Sequence, residues 1–396
     1  AHKIPASYTM RKTVEKLYRD LNWRTLNQLA NDTIETAINI QQIPAPTFEE
    51  DIRAAYVADI FRSLDLQNVE IDSFYNVYGY LPGKKSGETG VMVSAHLDTV
   101  FDQNTDLTIR RARDLVYGPG LGDNSAAVAG MIGMAKWLQN EKFVPEHDIW
   151  FVATSREEGL GDLGGMKAAY ERLKDKVSAV INVEGLAYGH VYHAGIAVRR
   201  LHITASASGG HSWLHYGRDS ALHGIVQLGA RITAIKPSES PRTTYNIGMV
   251  NGGQSINSIA TDAELWLDMR SEARDSLEAL ETEVMQIISS LQAEDLTFKV
   301  DVVGDRPSGY LSVDHALVQG SLAALKMVGV PGNLQTGSTA ANIPLSDGKP
   351  AVTIGITQGG NAHRLDEYIE TKPFASGLKQ LIMLTLATTK ELFEME

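Results

Sequence analysis

The side chains able to bind metal or move protons sit where apolar runs end. The run Val91-Met92-Val93-Ser94-Ala95 leads straight into His96-Leu97-Asp98-Thr99. Residues i and i+2 of an extended segment point to one face, so His96 and Asp98 project together. A metal-ligating histidine usually has a carboxylate or carbonyl on its other ring nitrogen, which fixes its tautomer. Alone, His-x-Asp is a weak signal. The rest of the chain supplies its companions. The strand-like run Ile149 to Thr154 enters Ser155-Arg156-Glu157-Glu158, and Ala179 to Val183 ends at Glu184. Asp123 lies in the loop Gly118-Pro119-Gly120-Leu121-Gly122-Asp123-Asn124, and His363 follows much later.

His96, Asp123, Glu158, Glu184 and His363 are five donors that could hold two divalent ions, one carboxylate bridging. Two ions roughly 3.5–4 Å apart can share a hydroxide and stabilise the carbonyl oxygen it attacks. Asp123 is the natural bridge, because a carboxylate on a glycine-rich loop can offer an oxygen to each ion. Adjacent residues of extended chain point to opposite sides, so Glu157 and Glu158 are not expected to ligate one ion. One can bind metal while the other takes a proton from water and returns it to a leaving amine. The chain has no cysteine, which removes thiolate sites, disulfides and cysteine nucleophiles. His, Asp and Glu must then hold any metal, which suits zinc first, with manganese or cobalt as alternatives. The glycines at 118, 120 and 122 do not make a dinucleotide fingerprint, since Asp123 stands where the third glycine belongs. No Walker loop and no Gly-x-Ser-x-Gly elbow occurs.

Strands alternating with helices imply an α/β fold with a mixed, mainly parallel sheet and helices on both faces. Tyr8 to Gln41 is mostly helical by its spacing. Thr47 and Glu50 form a capping-box pattern before a helix over 49–64. Pro82 to Gly90 has the composition of a hairpin-like turn. From 195 to 304 the pattern changes to β-α-β-β-α-β, an α+β ferredoxin-like arrangement. The expected domains are therefore 1–194 with 305–396, carrying the metal site, and an inserted 195–304.

With 396 residues, two domains are the prior; 43% hydrophobic and 21% charged residues are ordinary for a globular chain. The net charge of −12 argues against nucleic-acid phosphates or an anionic membrane surface as partners. No apolar run approaches the roughly 18–20 residues that span a bilayer. Ala1 to Thr9 has no apolar core of signal-peptide type, and a cytoplasmic location is the expectation.

These runs together resemble the di-zinc peptidases and deacylases, the family of aminoacylase, glutamate carboxypeptidase, succinyl-diaminopimelate desuccinylase and peptidase T. The matching stretches are Ser94 to Phe101, Gly118 to Ser125, Ser155 to Gly159, Asn182 to Gly185 and Ala362 to Glu367. The resemblance implies that His96 and Glu184 complete one metal site, Glu158 and His363 the other, and Asp123 bridges. It makes Asp98 the residue that orients His96, and Glu157 the general base. It makes the inserted domain a lid and dimer interface, with His211 of Gly209-Gly210-His211-Ser212 reaching a partner's active site to stabilise the oxyanion. Asn257 and Arg270 match the substrate-binding pair, arginine gripping a free carboxylate; from spacing alone, Arg270 merely ends an exposed strand. The implied activity is hydrolysis of a short peptide or N-acyl amino acid by a homodimer. A deacylase acting on a non-peptide N-acyl metabolite is the alternative, and a degenerate metal-binding scaffold a third. Two departures stand out: Ala340 where relatives carry aspartate, and Ala260 where they often have proline. The remaining histidines (His2, His147, His190, His193, His202, His215, His223, His315) match nothing and are expected to be structural or surface residues.

Overall fold

Every residue of the strand Gly90–His96 is buried, and alternate side chains enter different cores. Val91, Val93 and Ala95 join one hydrophobic cluster, Met92 another. Burial on both faces is why the run is apolar without a break, as in the centre of a parallel sheet. The structure, a computed structural model, describes residues 4–392. It divides into two compact units, one running to Gly195 and resuming at Gly309, the other Ile196–Ser308.

In the first unit a nine-stranded sheet runs in the order Gln67–Ile71, Val77–Leu81, Ile149–Thr154, Gly90–His96, Val177–Glu184, Ala351–Gly355, His190–Gly195, Gly309–Tyr310, with Asn333–Gly337 also on His190–Gly195. Its four central strands are parallel. Their register sets His96 beside Thr154 and Glu184 beside Gly355, so their carboxyl ends finish along one edge. On one face pack the helices Ala6–Asp20, Leu26–Gln41, Asp51–Ser63, Ala126–Asn140, Ala316–Met327 and Phe374–Lys390. The other face is covered by Gly164–Leu173 and Asn342–Ser346. The fold is thus α/β, mixed at its margins and parallel where the strand ends carry donors.

The mostly helical stretch to Gln41 forms two helices, parted at residues 21–25. Two other local expectations fail. Pro82 to Gly90 does not close a hairpin, because Val77–Leu81 pairs antiparallel with Ile149–Thr154 instead. The amides of Gly83 and Gly87 are taken by the Asp148 carboxylate, which holds that loop away from a direct return. The capping box also does not form. The helix starts at Asp51 with no side-chain cap, while the Thr47 hydroxyl donates to Asp98 Oδ2 at 2.8 Å and Glu50 Oε1 accepts from the Arg156 amide at 2.9 Å. Tertiary partners outbid the local ones.

The second unit is an antiparallel sheet ordered Thr243–Gly252, Asp262–Ser271, Ala197–Ser206, Thr297–Arg306. Leu201, Ile203 and Ala205, with Ala263, Leu265, Leu267 and Met269, face the helices Ala221–Thr233 and Arg274–Leu291. Among the described residues no helix is long and apolar enough to cross a membrane. His2, and the first residues of Ala1 to Thr9, lie outside the described residues.

The loop after Glu184 touches the Asp123 turn backbone to backbone. A Cβ on Gly185 would fall 1.9 Å from the Gly122 carbonyl oxygen, with no flexible side chain to yield. Gly185→Ala is therefore expected to cost about 1–3 kcal/mol of stability, as overpacking does. A denaturant midpoint equal to the parent's would contradict this close packing.

Candidate metal centre

Asp123 sits in a wide turn, Leu121–Ser125, entered through Gly120 at φ +72°. Glycine adopts this left-handed conformation without a Cβ penalty. The peptide between Asp123 and Asn124 is cis. Two side chains then tie the turn to its neighbours. Asn124 donates to the Val183 carbonyl at 3.2 Å and accepts from the Gly185 amide at 2.8 Å, fastening the turn to the strand that ends at Glu184. Glu367, fully buried, accepts from the amides of Gly122 at 2.9 Å, Asp123 at 3.1 Å and His363 at 3.3 Å. One carboxyl thereby sets Asp123 and His363 in mutual register. Burial, with the Asp123 charge beside it, pushes the Glu367 carboxyl up to about 7. His363 itself has φ +67°, a conformation that non-glycine residues keep only when their surroundings impose it.

The result is a pair of donor sets that share Asp123. His96, Asp123 and Glu184 each offer an atom within 4.8 Å of the others, and so do Asp123, Glu158 and His363. His96 Nε2 lies 3.2 Å from Asp123 Oδ1 and 3.5 Å from Glu184 Oε2. His363 Nε2 lies 2.9 Å from Asp123 Oδ2 and 3.5 Å from Glu158 Oε1. The two oxygens of Asp123 thus face two different histidines. The other nitrogen of His96 is 3.0 Å from the backbone carbonyl of Asp98 and 3.4 Å from its Oδ1. Asp98 orients His96 mainly through its carbonyl. Its carboxylate accepts from the amides of Glu157 at 2.9 Å and Glu158 at 3.0 Å.

Glu157 and Glu158 do not simply point apart. Arg156 turns the backbone at φ +53°, and both carboxylates reach a common group with His96. Glu157 Oε2 is 3.8 Å from His96 Nε2.

The electrostatics suit cations. Burial alone would depress the His96 pKa, yet Glu184, Asp123, Asp98 and Glu157 together hold it well above the usual imidazole range. Hydrogen bonds that His363 donates to Asp123 and Glu158 push it up to about 10. Burial opposes the Asp123 charge, but His363 and His96 hold its carboxyl far below normal. Burial raises Glu158. Such crowding of carboxylates calls for positive charge. Two imidazoles and several carboxylates without sulfur form a donor set that fits zinc.

Three further residues singled out from the sequence belong to the second unit. His211 pairs with Ser258 across a short two-stranded ladder, and Ser212 donates to the Asn257 carbonyl at 2.9 Å. His211 Nδ1 accepts from the amides of Trp213 and Leu214 at 3.2 and 3.4 Å, which leaves the ring proton on Nε2. Arg270 Nε donates to Asp268 at 2.8 Å. In the first unit, Ala340 is buried in the apolar cluster with Ala341 and Ile343. His147, His193 and His202 hold structural contacts, to the Thr389 carbonyl, the Leu311 carbonyl and Glu264. His190 sits elsewhere. With Tyr192 it lines a cavity of about 300 Å³ that also includes Asp123 and Glu184.

The model of Peptidase family M28 matches residues 76–208, and that of the peptidase dimerisation domain matches residues 193–296. The succinyl-diaminopimelate desuccinylase of Corynebacterium glutamicum is 25% identical over 349 residues, covering 86% of this chain and 92% of the relative. Among solved structures, a tripeptidase from Staphylococcus aureus aligns with a TM-score of 0.76 at 18% identity, over 91% of this chain and 99% of that one. Aminopeptidase PepT from Bacillus cereus aligns with a TM-score of 0.74 at 19% identity, over 94% and 100%. The last two have the same fold. In two adjoining segments and over most of its length, the chain is thus similar to M20/M28-type metallopeptidases and deacylases, hydrolases of carbon–nitrogen bonds.

Proposed function

We propose that the chain hydrolyses an amide bond in a short peptide or an N-acyl amino acid, using two divalent ions that share Asp123. The observation that carries this reading is the split of Asp123, one oxygen toward His96 and the other toward His363. His96 and Glu184 would complete one site, Glu158 and His363 the other. Bound there, the ions, zinc first among them, would polarise the substrate carbonyl and make a water acidic enough to attack near neutral pH. Glu157, close to His96 but outside both sets that share Asp123, would accept a proton from the attacking water. Its carboxyl then passes the proton to the amine nitrogen as the carbon–nitrogen bond breaks. Asp98 holds His96 by its carbonyl, and the loop of Glu157 by its carboxylate.

The two compact units are, in this reading, a catalytic domain and a lid, and the lid pairs two copies. Support comes from the match to a dimerisation domain and from Trp213, Tyr216 and Ile256, large apolar side chains exposed on loops next to His211 and Asn257. In such a dimer, the Nε2 proton of His211 serves the oxyanion of the other copy's substrate. Asn257 and Arg270 hold the substrate, the guanidinium on a free carboxylate. The likeness to a desuccinylase favours an acyl amino acid, and the tripeptidase-like fold a peptide.

Glu157→Gln keeps the shape but removes the base. Turnover should fall on the order of 10²–10⁴-fold with bound metal unchanged; an unimpaired variant would reject the assignment. Zinc bound only by the folded chain adds about 2.7 kcal/mol per site at a hundredfold excess over Kd. The metal-free protein should therefore melt later on adding zinc, and an Asp123→Ala variant should gain much less. Equal gains would place the ions elsewhere. A panel of di- and tripeptides against N-acetyl and N-succinyl amino acids identifies the substrate. Hydrolysis confined to acyl amino acids would select deacylation, and no hydrolysis of any amide would remove the proposal.

A further inference from the structure

Four consecutive amides after the strand Ile149–Thr154 each end on a side-chain oxygen. Ser155 donates to Asn76 Oδ1 at 2.9 Å, Arg156 to Glu50 Oε1 at 2.9 Å, Glu157 to Asp98 Oδ1 at 2.9 Å and Glu158 to Asp98 Oδ2 at 3.0 Å. Asn76, Glu50 and Asp98 are all fully buried. Loop amides usually face water or other backbone, and a run of side-chain acceptors is a costly substitute. The cost is largest at Glu50, whose Oε2 is buried with no hydrogen-bond partner.

The segment that carries Glu50 is itself fixed. Arg53, buried, donates to the Ile43 carbonyl at 2.6 Å and to the Leu97 carbonyl at 2.6 Å, tying the segment to the chain just past His96. Thr99 donates to the Ala45 carbonyl at 2.9 Å. Thr47 then gives its hydroxyl proton to Asp98 Oδ2, the oxygen that also receives the Glu158 amide. On the outer side, the Arg156 guanidinium lies 5.3 Å from the Phe48 ring centre and 4.6 Å from that of Phe74. Arg156 keeps φ +53° inside this frame. Residues 47–50 thus reach the loop directly through the Phe48 ring and the Glu50 carboxyl at Arg156, and through Asp98 by way of the Thr47 hydroxyl.

We propose that Thr47 and Glu50 are positioning residues for the proton-transferring loop, clamping the backbone of Arg156 to Glu158 so that Glu157 and Glu158 face the metal pair. This rests on the amide-hydrolase reading above. Neither residue touches substrate. They act by fixing the loop amides, and small displacements of a catalytic group are expensive in rate. A bare structural role would lower stability and leave the loop's exchange and the turnover of the folded fraction alone.

The experiment pairs amide hydrogen exchange over residues 155–158 with steady-state kinetics, on Glu50→Ala, Glu50→Gln, Thr47→Val and Thr47→Ser of the zinc-loaded chain. Glu50→Ala and Thr47→Val should speed exchange in this loop, with protection elsewhere unchanged. They should lower kcat on the order of 10- to 100-fold, with KM and zinc content near the parent's. Gln and Ser each keep the needed oxygen or hydroxyl and should restore both readouts. Parental exchange and kcat in Glu50→Ala and Thr47→Val would overturn the clamp, as would faster exchange with unchanged kcat. Should Glu50→Ala not fold, the Thr47 pair decides. If the parent hydrolyses no amide, the functional reading falls, and the clamp stands or falls on exchange alone.

Discussion

Mutual repulsion among carboxylates crowded at one edge of a sheet is the constraint the first unit is built to withstand. Asp123, Glu158 and Glu184 each place an oxygen within 4.8 Å of a shared neighbour, and Glu157 stands beside His96. Like charges at that spacing cost several kcal/mol unless cations or protons intervene. The imidazoles respond by holding protons far more tightly than usual, His363 to about 10. Bound metal ions would take over that role, and folding and metal binding would then be linked. The scaffold must carry the repulsion meanwhile, which a rigid parallel sheet does well.

Each part of the frame answers to that constraint. The four parallel central strands end in register, so donors more than 200 residues apart in sequence arrive at one edge. The loops between them are joined by buried side chains rather than by length. Asn124 ties the Asp123 turn to Glu184, and Glu367 ties it to His363. Asp98 ties His96 to the Glu157 loop. Close backbone approach at Gly185 leaves the turn little room to move. The geometry is held mainly by hydrogen bonds to backbone amides, whose positions the sheet already fixes.

Much of this is legible in the sequence because period and termination are local signals. Val91 to His96 declares a buried strand, and its terminal histidine gains meaning from the donors that end the other runs. The β-α-β-β-α-β order of the second unit is equally plain from alternation and amphipathic spacing. What the sequence hides is who accepts which amide. Thr47 and Glu50 have the spacing of a helix cap, yet both bond residues about 50 and 106 positions away. No local pattern distinguishes a cap from such a clamp. Glu367 lies in the same run as His363, but only folding shows that it is buried and bonded to three amides. The strand pairing of Val77–Leu81 eludes the sequence because Asp148, 65 residues after Gly83, holds the intervening loop.

The central claim is that one aspartate is shared by two ions. Anomalous diffraction at the zinc edge, from crystals of the zinc-loaded chain, measures it directly. The account predicts two peaks roughly 3.5–4 Å apart, one beside His96 and Glu184, the other beside Glu158 and His363, with Asp123 between them. A single peak, or two peaks held by other side chains, would contradict it.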